Sequence, residues 1–193
     1  MEIDLLAYHD MEELDFAGPY EILGRLAESE SSSVYTVAHS QSITCRHGLI
    51  IKRTKLLNEP PGQILVVPGG KGARTPSKEH TTIIKYISKY YSSREYVLSV
   101  CTGAFLLAEA GIITEKTVTT HRSYLSQLKG RVVDYRIVKD GNVITCQGVS
   151  SGIDGALFLG SILFGKAAVE RTIEGIEYPV SIDDIIDSAY IVE

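Results

Sequence analysis

The sequence predicts an α/β fold, a three-layer sandwich with a mostly parallel central sheet flanked by helices. Three observations carry this prediction. Strand-like and helix-like segments alternate along the chain, the arrangement that builds parallel sheets. The runs Ile64-Leu65-Val66-Val67 and Tyr96-Val97-Leu98-Ser99-Val100 are apolar almost without interruption, as strands covered on both faces must be. Each run ends in glycines or a reactive side chain, at the carboxyl edge where open α/β sheets place their functional groups.

Size and composition narrow the function classes. The 193 residues suffice for one domain, 1–193, burying roughly 70% of its unfolded surface. With 44% hydrophobic and 22% charged residues the composition is that of an ordinary globular protein. A net charge of -5 and no cluster of Lys or Arg exclude a nucleic-acid surface. The longest apolar run, Gly155 to Gly165, falls short of the ~20 residues needed to span a bilayer. Met1-Glu2-Ile3-Asp4 lacks a basic n-region, so a cytoplasmic protein without a membrane partner is expected. Cys45, Cys101 and Cys146 are too far apart to form a CxxC pair. Neither a disulfide framework nor a zinc site is indicated, and no metal or cofactor is expected.

In order, Ile3 to Tyr8 reads as a first strand with a polar exit loop, 9–13. The helix that follows has Pro19 in its first turn, where the missing N–H costs nothing, and Leu23, Leu26 and Ala27 on its apolar face. Asp15 then stands just ahead of that helix, either as a functional carboxylate at a strand end or as a helix cap. Val34 to Ala38 is a second strand. Ile43-Thr44-Cys45 and Leu49-Ile50-Ile51 form a hairpin turning at Arg46-His47-Gly48, with His47 exposed. The strand 64–67 closes on Pro68-Gly69-Gly70, whose backbone N–H groups can approach a ligand, half of a candidate oxyanion hole.

Ile83, Ile84, Ile87 and Tyr91 recur at helical spacing and supply the crossover to the strand 96–101. There a strand passes abruptly into a helix with Cys101 at the corner, a nucleophile elbow with sulfur in place of oxygen. Unpaired N–H groups in the first turn of that helix favour a thiolate, and Gly103 permits the close backbone approach such a turn needs. The alternative is a small core residue at a strand end. Beyond Gly111, Lys116 to Thr120 is a short strand delivering His121, a lining residue or a structural one. Asp140-Gly141-Asn142 marks a hairpin between 135 and 146, with Cys146 in the core. Ser150 or Ser151 caps an apolar helix running to about Gly165. An amphipathic helix spans Ala167 to Tyr178, and Asp183, Asp184 and Asp187 form a solvated face of the tail.

Five stretches, taken together, resemble the ThiJ/PfpI superfamily over essentially the whole chain. They are 14–19 (LDFAGP), 67–70 (VPGG), 99–104 (SVCTGA), 119–121 (TTH) and 150–154 (SSGID). The resemblance is closest to the isonitrile hydratase branch. It implies a flavodoxin-like, class I glutamine amidotransferase-like fold, a homodimer, and a small-molecule substrate. Cys101 is then the nucleophile and Asp15 the acid/base; Gly69, Gly70, Thr102, His121 and Ile153 line the oxyanion and substrate site, with N–H groups from Gly70 and Thr102 holding developing charge. Peptidase-like and many glyoxalase-like members have His after the cysteine; this chain has Thr102, which counts against a deglycase or hydrolase. The branch tends to have Trp after the histidine; this chain has Arg122. The activity expected is hydration of an isonitrile to a formamide through a Cys101 thioimidate. The alternative is a small-molecule or redox sensor with an oxidisable Cys101.

Overall fold

The computed structural model of the chain describes residues 1–192. β1 (Glu2–Leu6), α1 (Glu13–Ser29) and β2 (Ser33–Ala38) make the first parallel crossover. The hairpin of β3 (Ser42–Thr44) and β4 (Ile50–Lys52) stands apart from the main sheet. The chain rejoins the sheet edge as β5 (Lys55–Leu56), then enters its centre as β6 (Ile64–Val67), whose four residues are all buried. α2 (Lys78–Tyr90) crosses to β7 (Tyr96–Val100), which runs into α3 (Gly103–Glu109).

β8 (Thr117–Val118) pairs in parallel with β9 (Arg131–Val132) outside the main sheet. β10 (Ile137–Asp140) and β11 (Val143–Cys146) form the expected hairpin across Gly141 and Asn142, with Gly141 at φ +60°. α4 (Ser151–Phe164), α5 (Lys166–Gly175), α6 (Ile182–Asp187) and β12 (Ala189–Val192) complete the chain. Sheet order is β12-β10-β11-β7-β6-β1-β2-β5, with every neighbouring pair parallel except β10 and β11. Helices α1, α4, α5 and α6 pack with one another and α2 packs with α3, which gives the sandwich its outer layers. Among the described residues no helix is long and apolar enough to cross a membrane.

Two local expectations are corrected. Helix α1 begins at Glu13, so Asp15 lies inside its first turn and Pro19 one turn further in. Ser150 precedes α4 without a capping bond; its hydroxyl accepts from Arg136 instead. The expected short strand before His121 lies in a two-stranded sheet. Asp183, Asp184 and Asp187 are exposed as expected, while Ile182 and Ile185 beside them are buried and residues 189–192 add a strand to the sheet. Its alternation is short and its partner is β10, about 50 residues earlier, so no local signal reveals it.

The buried Asp4 of β1 accepts from Gly62 N (2.8 Å), Arg94 Nη1 (2.6 Å) and Lys55 Nζ (3.0 Å). A carboxylate so enclosed is tolerated because its oxygens are matched by donors, two of them cationic.

Candidate active site

The carboxyl ends of β6 and β7 and the start of α1 converge on one point. Cys101 follows β7 directly, and its φ of +57° is a left-handed conformation that side chains rarely adopt. The strain is held by backbone bonds on both sides. Its N–H donates to Cys146 O (3.0 Å) and Gln147 O (2.8 Å), and the Thr120 hydroxyl donates to its carbonyl (2.7 Å). Only 6% of Cys101 is exposed.

The elbow packs directly on the glycine loop. A Cβ on Gly103 would lie 2.2 Å from Val67 O, and one on Gly69 2.4 Å from Thr102 N. Gly103→Ala is therefore expected to destabilise the fold by more than about 3 kcal/mol, because backbone rather than a flexible side chain must yield. Gly24→Ala is the contrast: nothing lies within 4 Å of its Cβ, and Ala inside α1 should stabilise by about 0.5–1 kcal/mol. Urea unfolding of the two variants measures both signs.

Asp15 is wholly buried, and its Oδ2 accepts the Gly69 N–H at 2.9 Å. Its Oδ1 has no hydrogen-bond partner, and the Cys101 thiol is near enough for each group to shift the other. Burial raises the Asp15 carboxyl to about 7. Burial, and then the charge of Asp15, push the Cys101 thiol up to about 12, against the opposing pull of the Thr102 and Val149 N–H groups. The sign expected from the helix start is thereby reversed: desolvation outweighs those donors, and the resting sulfur carries its proton.

The remaining candidates fall into place unevenly. Thr102 N–H faces the sulfur, while its hydroxyl accepts from Gly70 N (2.9 Å) and donates to Gly70 O (3.1 Å). The Gly70 N–H, expected as an oxyanion donor, is thus engaged within the protein. Val149 N–H is the second donor at the sulfur, and as a backbone group in a turn it leaves no sequence signature. Gly70 has φ +120° and a would-be Cβ 2.4 Å from Glu12 N, so its conformation and contact both demand glycine. Ile153 is half-buried against α1, its Cγ1 3.0 Å from where a Gly18 Cβ would stand.

His121 Nδ1 accepts from Ser123 N (3.2 Å), and its ring lies on Gly148. Tyr8, not singled out in the sequence, is buried and donates to Pro68 O (2.5 Å) and Gly69 O (3.1 Å), bracing the glycine loop from below. Among the described residues, one His and carboxylate trio is close enough to hold a cation: Glu12, Glu13 and His47. These groups already satisfy one another, with His47 Nδ1 2.7 Å from Glu13 Oε2 and Arg46 donating to Glu12 at 2.9 Å. They tie the β3–β4 hairpin to the start of α1.

Three comparisons bear on this arrangement. The chain is 32% identical over 182 residues to isonitrile hydratase of Pseudomonas putida, covering 92% of this chain and 78% of that protein. It is 28% identical over 116 residues to protein dj-1beta of Drosophila melanogaster, covering 58% and 62% of the two chains. Its fold overlays the crystal structure of a ThiJ/PfpI family protein from Pseudomonas syringae with a TM-score of 0.81 at 26% identity, over 93% of this chain and 76% of that one. Residues 1–159 match the family model that spans the glycine loop, the elbow and the buried carboxyl alike, and the chain belongs to the DJ-1/PfpI family.

Proposed function

We propose that the protein is a cysteine-dependent enzyme that hydrates an isonitrile to an N-substituted formamide. The observation that carries this reading is the buried Asp15–Cys101 pair, which keeps one proton between a carboxyl near pH 7 and a sulfur near 12. Addition to an isonitrile needs one such movable proton. The Asp15 carboxylate takes it from the thiol as sulfur attacks the terminal carbon, then returns it to that carbon, giving the thioimidate R–N=CH–S. Next Asp15 draws a proton from water as the water oxygen bonds the same carbon and passes it to the nitrogen, leaving R–NH–CH(OH)–S, whose hydroxyl proton goes to the departing sulfur. The C–S bond then breaks, the thiol recovers its proton, and R–NH–CHO leaves; the net change is the addition of one water. The Thr102 and Val149 N–H groups stabilise sulfur as it departs.

A thiol held protonated and 6% exposed is a poor target for peroxide, which weighs against redox sensing. The test is incubation with cyclohexyl isonitrile and several linear isonitriles, read by the mass gain of one water. Formamide is expected; no turnover of any of them removes the activity.

The proposal includes a homodimer and a cytoplasmic setting, the latter fitting three unpaired cysteines. Leu14 on α1 and Leu49 and Ile50 on the hairpin tied to it are exposed by 40%, 50% and 64%, an apolar surface for a second copy to cover. Light scattering should give twice the 21.1 kDa chain mass, with Ile50→Glu shifting the protein toward monomer. A wild-type monomer at micromolar concentration would dismiss this part.

A further inference from the structure

The Val149 N–H reaches the Cys101 sulfur from the turn between β11 and α4. Val149 has φ +24° and Cys101 φ +57°, so both backbones that meet at the sulfur are left-handed without being glycine. For a β-branched residue that conformation is costly and persists only where the surroundings impose it. One residue outside the turn holds it from both ends. Arg136, the residue before β10, accepts the Gln147 N–H at its carbonyl (3.0 Å), and the Gln147 carbonyl in turn accepts the Cys101 N–H (2.8 Å). The Arg136 guanidinium donates through Nη2 to the Ser150 hydroxyl (3.3 Å) and through Nε to Asp154 in the first turn of α4. Asp154 is buried, and its other oxygen accepts from the Tyr178 hydroxyl at 2.7 Å. Gln147 and Ser150, which bracket Val149 in the chain, are therefore both tied to Arg136.

We propose that Arg136 is a positioning residue for the chemistry at Cys101: by gripping Ser150 and Asp154 it holds Val149 in the conformation that aims its N–H at the sulfur. A guanidinium suits this task because its planar fork donates to two partners at fixed angles, and the buried carboxylate fixes the fork in turn. The N–H so aimed stabilises negative charge on sulfur, both when the thiol gives up its proton and when the thioimidate breaks down. The proposal rests on Cys101 being the nucleophile of the proposed reaction; it does not depend on which carbon the sulfur attacks.

Alkylation of the whole chain by iodoacetamide, a neutral reagent, tests this at constant pH, with peptide mass spectrometry reporting Cys101. Losing the aimed donor should cut the thiolate fraction about tenfold, partly offset by the higher intrinsic reactivity of a more basic sulfur, for a net slowing of about threefold in Arg136→Gln. A residue that merely holds the fold together predicts the opposite sign, because a loosened turn uncovers the sulfur and speeds its alkylation. Ser150→Ala keeps the positive charge and the Asp154 pair and removes only the contact at the exposed end of the turn. It should slow alkylation in the same direction, by about twofold. Unchanged or faster alkylation in a folded Arg136→Gln, or in Ser150→Ala, overturns the proposal. Isonitrile hydration should lose kcat in both variants with KM unchanged; an unchanged kcat overturns the positioning role and leaves the hydratase reading standing. Slow alkylation of both variants, with no isonitrile turned over by wild type, supports the positioning role and removes the hydratase reading instead.

Discussion

Cys101→Ala is expected to leave no measurable isonitrile hydration, and Asp15→Asn to slow it by about 10²–10⁴-fold, the usual contribution of a positioned acid/base. The two losses differ in kind. Without sulfur no covalent intermediate forms, whereas in the Asp15→Asn variant the thiol can still add, but its proton must pass through solvent. The pH profile separates the roles further. Wild-type kcat/KM should rise with pH through about 7, because the carboxylate form must accept the thiol proton, and Asp15 ionises there. Asp15→Asn should flatten that limb. Stopped or continuous assays of formamide from pH 5 to 9 measure both effects, and a variant that keeps wild-type rate and profile would strip Asp15 of its role.

Asp15→Asn should also make the protein more stable, but chiefly above neutrality. The folded carboxyl titrates near 7 against an ordinary value of 3.8, so the fold favours its neutral form. Below that ordinary value the group is neutral in both states and contributes no penalty. As pH rises toward and past 7 the unfolded chain ionises freely while the folded one ionises at a cost, and stability falls by about 4 kcal/mol. The amide keeps an oxygen for the Gly69 N–H and never ionises, so the variant should gain about 2–4 kcal/mol at pH 8.5, or roughly 5–10 °C in Tm. Near pH 4 the gain should shrink to under about 1 kcal/mol. Thermal unfolding at the two pH values decides it; an equal difference at both would show that burial of the charge is not the cause.

The residues most legible in the sequence are those whose type and position coincide. Cys101 at a strand-to-helix junction, and Gly69 and Gly103 where backbones must touch, each announce their geometry through the chain itself. Sequence puts Asp15 in the right region but ahead of α1 rather than inside its first turn, and only the fold brings the β6 turn down onto its carboxyl. Val149 and Thr120 escape notice for a plainer reason: one acts through its backbone N–H, the other clamps a carbonyl 19 residues earlier. The proton state of Cys101 reads with the wrong sign, because helix-start donors are local and visible whereas desolvation is collective. The strand β12 is hidden because four residues whose partners lie about 50 positions away leave no periodic trace.

The left-handed backbone at residue 101 also restricts which chemical elements the elbow can present. Serine could occupy it at the same conformational cost as cysteine. Threonine would pay more, since a second substituent on Cβ crowds the neighbouring carbonyl at positive φ. The corner therefore takes a thiol or a primary alcohol at less cost than a secondary one. On steric grounds alone, sulfur and the simplest oxygen are the nucleophiles this backbone accepts most readily.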